Sequence, residues 1–328
     1  MKCPHCQSEN LDGVNFCSNC GSKLSGTPAP EGAFVLEDRF KGTLHRGIAE
    51  FVGREQELEI LKAAFEKVKF GSGQAVEIVG EAGVGKSRLL HEFRHMLPRE
   101  AHHYFEGRCI DYASPMPYLP ILHILRSLFD VDDFDAEEVI KTKIKDGLSR
   151  LEEPLEKLAP PIQEILSLKV EDATYLSLEP EQKKQSIFEA LTILLEQVSQ
   201  EKPLILTIED THWIDKTTEE FIHLLIGDIN PMRILLILLY RPQYSLETAP
   251  KPHHRRIILE PLSEKGSSDL VQAILRDASV DLKLKAFVLN KAHGNPLFVE
   301  EIIQNLLENG AIQKRVNEYV LAGAASDI

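Results

Sequence analysis

The chain lacks any apolar run long enough to cross a bilayer. Its longest, Ile234 to Tyr240, has seven residues, against the roughly 18 to 20 that a membrane helix needs. No apolar leader follows Met1 either: Lys2, Cys3 and Pro4 run straight into cysteines and polar residues, so a secretory signal is not supported and a cytoplasmic location is expected. Positive charge is in deficit. The formal net charge is −14, which argues against a surface that binds nucleic acid or anionic lipid over its whole area, since both need a basic footprint. A local basic patch is compatible with that balance. Cysteine is sparse and unevenly placed: four of five lie in the first twenty residues, in two close pairs, and Cys109 stands alone. In a cytosolic chain such clustering points to metal before disulfide. With 328 residues and 43% apolar content the chain can bury a large core, and its length predicts two or three domains.

The most informative segment is the octet Gly80, Glu81, Ala82, Gly83, Val84, Gly85, Lys86 and Ser87, which matches the phosphate-binding pattern G-x-x-x-x-G-K-[ST]. Each required residue type has its own job. Glycines let successive backbone N–H groups curl around phosphates, a lysine supplies a point charge near the β and γ phosphates, and a hydroxyl ligates Mg²⁺. The apolar Ala75 to Val79 reads as a buried strand before the loop, and Ser87 to Arg94, including Arg88, reads as a helix after it. Strand, glycine loop and helix N-terminus together make an anion site. A glycine turn with a chance Lys-Ser is the plain alternative.

A second carboxylate-bearing segment follows later. Pro203 to Asp210 is an apolar strand that delivers Glu209 and Asp210 at its C-terminal end, where open α/β sheets place ligands. One carboxylate would hold Mg²⁺, directly or through water, and the other would orient or deprotonate the attacking water; Glu209 is the expected metal ligand beside Ser87, and Asp210 the expected water-orienting group. An acidic pair that merely closes a strand in solvent is the competing reading. His212 has the chemistry of a general base, although a surface or helix-capping histidine is the plainer reading, and Trp213 reads as a packing residue. Tyr104 to Cys109 and Arg233 to Tyr240 are further strands, the second apolar enough to be covered on both faces. Ile257 to Leu262 reads as a final strand, followed by helices over Ser267 to Arg276 and Leu282 to Asn290. Asn295 and Pro296 then open a helix whose apolar face is expected to include Leu297, Ile302 and Leu306.

At the N-terminus Cys3 and Cys6, then Cys17 and Cys20, form two C-x-x-C turns, each able to present two thiolates to one tetrahedral Zn²⁺. Met1 to Leu24 has few apolar residues, so metal would supply most of its folding free energy. Four thiolates close the site, which makes the expected zinc structural. A redox dithiol pair is the alternative, and His5 reads as a solvated spacer. Ser25 to Gly47, with Gly26, Pro28, Pro30 and Gly32, reads as a linker.

These motifs resemble known families. The segment Cys3 to Cys6 with Phe16 to Gly21 resembles short bacterial zinc ribbons of the C-P-x-C…F-C-x-x-C-G type. Phe51, Val52, Gly53, Arg54 and Glu55, some thirty residues before the phosphate loop, resemble the h-h-G-R-E signature of the STAND branch of AAA-type ATPases. In that family this peptide covers the adenine, which implies roles for Val52, Gly53 and Arg54. Glu209 to Asp215 resembles the family's E-D-x-H-W-x-D continuation, and Gly294 to Glu301 its G-N-P-L-F-V-E-E motif. From a helical lid the latter element, through Pro296, is implied to contact the base. Arg241, after its strand, is implied to be a sensor arginine for the γ phosphate, with a plain salt-bridging arginine as competitor. The resemblance covers about residues 48 to 315. It extends to bacterial multidomain proteins with a zinc ribbon, a class III cyclase domain, an origin-recognition-complex-like AAA ATPase domain and tetratricopeptide repeats. No cyclase-sized segment lies between Leu24 and Ile48, and the sequence stops at Ile328 before any repeat array, so cyclase activity is not expected.

The expected fold is therefore α/β: a P-loop NTPase parallel sheet with flanking helices, a C-terminal helical lid and a small N-terminal zinc ribbon. The expected domains are 1–24 ribbon, 25–47 linker, 48–262 ATPase core and 263–328 lid. The candidate catalytic set is Lys86, Glu209, Asp210 and Arg241, with ATP or ADP, Mg²⁺ and Zn²⁺ as cofactors. A protein partner or self-association is expected, with no membrane and no nucleic acid. The implied activity is slow ATP hydrolysis in a nucleotide-dependent switch. The alternatives are a zinc-tethered scaffold or regulatory module with a structurally occupied nucleotide site, a fragment of a multidomain cyclase or regulator, and a DNA-associated loader.

Overall fold

A computed structural model describes residues 50–111, 117–151, 155–276 and 278–322. The expected zinc ribbon, with Cys3, Cys6, Cys17 and Cys20, and the 25–47 linker lie outside the described residues.

Helix α1 (Glu55–Lys69) buries Leu58, Leu61, Ala64, Phe65 and Val68, an i, i+3, i+4 stripe. Glu55 and Glu57 in its first turn and Lys67 and Lys69 in its last complement the helix dipole. Ile60 falls off that stripe and is only half-buried. Strand β1 (Gln74–Gly80) is buried throughout and leads through the glycine loop into helix α2 (Lys86–Met96). Strand β2 (His103–Arg108) follows. Helices α3 (Leu119–Leu128), α4 (Glu137–Ser149), α5 (Ala159–Ile165), α6 (Ala173–Leu176) and α7 (Pro180–Glu201) then lead to β3 (Leu204–Glu209). Helix α8 (Lys216–Asp228) precedes β4 (Ile234–Tyr240), and β5 (His254–Leu259) closes the sheet.

The five strands are parallel in the order β2-β3-β4-β1-β5. Parallel strands covered on both faces need apolar side chains on both sides, and β1, β3 and β4 are wholly buried. Edge strand β5 instead turns Ile257 and Leu259 inward and exposes Arg255 and Ile258. The expected final strand at Ile257 to Leu262 is thus displaced toward the N-terminus. Pairing runs from Ala75 with His254 to Gly80 with Leu259, so the strand ends where its partner ends. Leu262 belongs to the following connection and joins the C-terminal core.

That C-terminal part contains helices α9 (Glu264–Ile274), α10 (Leu282–Ala292) and α11 (Pro296–Glu308). It is not purely helical. Strands β6 (Ser279–Val280), β7 (Ile312–Arg315) and β8 (Glu318–Leu321) form a small sheet ordered β6-β8-β7. Helix α11 buries Val299, Ile303 and Leu306, whereas Leu297 is 42% exposed. Leu297 sits in the first turn beside the phosphate loop, so the inward stripe starts two residues later than expected.

Candidate functional site

The carboxyl ends of β1, β3 and β4 lie along one edge of the sheet, because β4 is inserted between β1 and β3 with matched register. The chain leaves β1 for the far edge at β2 and returns strand by strand, then places β5 beyond β1. That reversal of direction opens a crevice at the carboxyl edge, the usual ligand position in open α/β sheets.

Each carbonyl from Gly80 to Val84 in the phosphate loop is engaged by a donor. Lys86 Nζ donates to Gly80 O at 2.7 Å and to Glu81 O at 3.0 Å. Asn295 Nδ2 donates to Ala82 O at 2.9 Å, Leu297 N to Gly83 O at 3.3 Å, and Arg54 Nη2 to Val84 O at 3.3 Å. Five successive carbonyls thus have donors, two from Lys86 within the loop and three from Asn295, Leu297 and Arg54 outside it. Gly83 and Gly85 have φ of +78° and +103°, and alternation of left-handed and right-handed residues makes an amide nest for anions. Helix α2 begins at Lys86, so its first-turn amides have no intrahelical acceptor. A Cβ on Gly83 would lie 2.7 Å from Asn295 Oδ1 and 2.9 Å from Leu297 Cβ. This donor set fits a polyphosphate.

Ser87 Oγ donates to Glu209 Oε1 at 3.1 Å, and Arg108 Nη2 donates to Oε2 at 2.6 Å. Glu209 is 1% exposed, so both partners matter for keeping a charge there. Arg108 was not among the expected site residues. Its register partner across β2 and β3 is Glu209 itself, and an arginine closing a strand beside a strand that closes on a carboxylate is the signal that would have found it. A hydroxyl and a carboxylate at this separation are the hard oxygen donors that Mg²⁺ prefers. Burial pulls the Lys86 ammonium below its ordinary value, with Arg241 adding to that and Asp210, Glu81 and Glu209 opposing it. Asp210 follows at φ +55° and caps a 3-10 turn, Thr211–Trp213. Arg241 lies over the Trp213 ring at 5.6 Å.

The structure therefore brings Lys86, Ser87, Glu209, Asp210 and Arg241 to one edge. Arg88 points along its own helix to Glu92 at 2.7 Å, and exposed Glu81 accepts from Gln243 Nε2 at 3.0 Å. Val52 packs on the C-terminal core, while buried Arg54 bonds Glu260 O as well as Val84 O. Gly53 has φ +74°, and a Cβ there would stand 3.2 Å from Leu262 Cδ2. Pro296 opens α11 behind its cap Asn295. His212 is half-buried, with both ring nitrogens shielded from solvent. Trp213 packs against the main core, as its aromatic bulk suggested.

A parallel sheet with this loop and this carboxylate defines the P-loop NTPase fold. The chain belongs to the AAA ATPase domain family, whose model matches residues 50–238, more than half of its length. A zinc-ribbon domain model matches residues 2–24, and a domain of unknown function matches residues 263–315. An uncharacterized protein of Rhizobium meliloti is 28% identical over 302 residues. That alignment covers 88% of this chain but only 29% of the relative's length. Among solved structures, Drosophila ORC bound to DNA is 13% identical with a TM-score of 0.51, covering 88% of this chain and 64% of that one; the likeness is one of fold. A STAND protein with a tetratricopeptide repeat sensor from Pyrococcus horikoshii is 14% identical with a TM-score of 0.42, over 84% and 41% of the two chains. A Walker-type ATPase of Pyrococcus abyssi is 16% identical with a TM-score of 0.42, over 79% and 69%. No helix among the described residues is long and apolar enough to cross a membrane.

Proposed function

We propose that this chain is a Mg·ATP-binding switch of the STAND type that hydrolyses ATP slowly to ADP and phosphate and uses the bound nucleotide to set the position of its C-terminal lid. The observation that carries this reading is the direct seat of the lid on the phosphate loop: Asn295 and the Leu297 amide bond the carbonyls of Ala82 and Gly83. A loop that rearranges around phosphates must rearrange those two bonds, so occupancy and lid position share one free energy.

In this reading the amides of residues 80–88 and the Lys86 ammonium bind the phosphates. Ser87 and Glu209 hold Mg²⁺, which when bound neutralises charge on the β and γ oxygens. Arg108 keeps the Glu209 carboxylate oriented. Asp210 orients the attacking water, and Arg241 reads the γ phosphate from the end of β4. Val52, Gly53, Arg54 and Pro296 lie where loop and lid meet and are assigned to the base side. Residues 1–24 form a ribbon whose Cys3, Cys6, Cys17 and Cys20 hold one structural Zn²⁺, 25–47 a linker, 48–262 the ATPase core and 263–328 the lid. A protein partner, or another copy of the chain, receives the signal in the cytoplasm.

Isothermal titration of ADP and ATP into the full chain and its Lys86→Ala variant tests the core claim, together with phosphate-release rates. Loss of both affinities in Lys86→Ala is expected; a variant with undiminished affinity and turnover would sink it. Tightly bound ADP that copurifies and never exchanges would favour a structurally occupied scaffold instead.

A further inference from the structure

Arg241 follows β4 directly, and the sheet sets its place. Tyr240 pairs with Val79, so the next residue stands beside Gly80, where the phosphate loop begins. The backbone there forms a turn in which Tyr244 N donates to Arg241 O at 3.1 Å. That turn is tied down on both sides: Gln243 Nε2 donates to Glu81 Oε1 of the loop at 3.0 Å, and Tyr244 Oη donates to Glu219 Oε1 on α8. Because β4 lies between β1 and β3, Arg241 leaves the carboxyl edge between the phosphate loop and the 3-10 turn after β3.

The half-buried guanidinium has neither an ion-pair partner nor a hydrogen-bond acceptor among the described residues. What holds it is the ring of Trp213, over which it lies at 5.6 Å from the centroid. This is not the arrangement of a salt-bridging arginine, the competing reading of the position. The indole itself is well fixed. Trp213 ends its 3-10 turn, its N donates to Asp210 O at 2.9 Å, and its ring packs against the main core. Among aromatic rings an indole attracts a cation over its face most strongly, out to about 6 Å from the centroid. Unlike a carboxylate, it neither neutralises the guanidinium nor takes up its N–H donors. Trp213 thus restrains Arg241 and leaves both its charge and its donors for another anion.

We propose that Trp213 is a positioning residue: its indole holds the Arg241 guanidinium at the carboxyl edge, so that it meets the terminal phosphate of a bound nucleoside triphosphate already restrained. The assignment rests on the reading of Arg241 as the γ-phosphate arginine. A free arginine side chain loses rotamer freedom when it engages a ligand. One already laid on a ring has lost that freedom beforehand, and such pre-organisation appears as affinity. ADP has no terminal phosphate, so the gain belongs to the triphosphate alone. Trp213 thereby favours the triphosphate state without touching the nucleotide.

Trp213 is the only tryptophan in the chain, so its fluorescence reads the contact directly. Arg241→Ala should change the emission spectrum of the full chain without nucleotide, because it removes a charge from the face of the indole. An unchanged spectrum overturns the proposal whether or not any Trp213 variant folds. Calorimetry with Mg²⁺ then compares ADP with a non-hydrolysable ATP analogue. Trp213→Leu, which keeps apolar bulk without a π face, should weaken the analogue roughly fivefold, the worth of one cation–π contact, and leave ADP unchanged as the sign of a folded site. Trp213→Phe retains a ring and should recover part of that loss. An undiminished preference for the analogue in Trp213→Leu overturns the proposal, as does a Phe variant no better than Leu. If Trp213→Leu loses ADP as well, Trp213→Phe decides: a loss confined to the analogue supports the proposal, and no loss, or equal loss of both nucleotides, overturns it. A wild-type chain that binds both nucleotides equally removes the γ-phosphate role of Arg241 and this inference with it. One that binds neither overturns the switch reading itself.

Discussion

Asn295 holds two structures together, and its replacement separates their energies. Its Oδ1 accepts from Leu297 N at 3.1 Å, capping α11, and its Nδ2 donates to Ala82 O at 2.9 Å across 213 residues of sequence. Losing an Asn cap costs about 1 kcal/mol, and losing a neutral hydrogen bond about 1 kcal/mol more. Asn295→Ala should therefore shift the balance between seated and unseated lid by about 2 kcal/mol, a change of roughly thirtyfold. Asn295→Asp retains the cap, because Asp caps as well as Asn, but has no donor for Ala82 O. It should show only the second contribution, roughly fivefold. Amide hydrogen exchange of peptides spanning 80–90 and 294–300 reads the unseated population directly, since local opening governs exchange there. Wild-type exchange in the Asn295→Asp peptides would refute the clamp. Faster exchange confined to 294–300 would show that Asn295 acts only as a cap.

Other perturbations probe the frame around the site. Burial pushes the Glu77 carboxyl up, but the hydrogen bonds and charge it receives from His254, Arg256 and Tyr240 outweigh that and hold it at about 2, from an ordinary value of 4.5. The difference corresponds to about 3 kcal/mol. That stability is present in full above pH 4.5 and is lost as pH falls toward 2; urea midpoints should fall less steeply over this window in Glu77→Gln, and equal slopes would refute the linkage. Arg108→Ala strips the buried Glu209 carboxylate of a 2.6 Å partner. It should lower stability by about 2 kcal/mol, measured by urea unfolding without nucleotide, and an unchanged midpoint would remove Arg108 as its support. Gly83→Ala places a Cβ 2.7 Å from Asn295 Oδ1 at φ +78°. Nucleotide affinity and lid seating should fall together in calorimetry and exchange, with the main sheet still folded by circular dichroism.

How much of this could be read beforehand depends on whether each residue's task is local. The phosphate loop was legible because glycines, lysine and serine act within eight consecutive positions. Strands β1, β3 and β4 were legible because burial on both faces leaves continuous apolar runs. The start of β5 was hidden: His254, Arg255 and Arg256 look like a loop, and only Glu77 on a neighbouring strand makes two of them part of a sheet. Arg108 and Glu209 are 101 residues apart, and only parallel register makes them neighbours. Strands β6 to β8 were missed because they are two to four residues long and largely polar on one side. The apolar face of α11 was misphased for a different reason. Leu297 answers to the phosphate loop, not to the helix's own stripe.

The contacts of Arg54 extend the clamp to a third element. Its guanidinium joins Val84 O of the loop to Glu260 O at the end of β5. Two residues on, Leu262 N donates to Gly294 O of the lid at 2.8 Å. Gly294, at φ +77°, can sit there only without a side chain, since a Cβ would fall 2.5 Å from Leu262 O. The loop, the β5 connection and the lid thus form a closed ring of hydrogen bonds, in which no member can move without opening a link. Three links touch the loop directly, from Arg54, Asn295 and Leu297. At about 1 kcal/mol each they allow a coupling of up to about 3 kcal/mol, or roughly a hundredfold in affinity. Coupling between binding equilibria is reciprocal. Under the proposed switch, a partner that moves the lid changes nucleotide affinity by the same factor by which nucleotide changes lid seating, which would give a chain of this design a route from an external signal to nucleotide exchange.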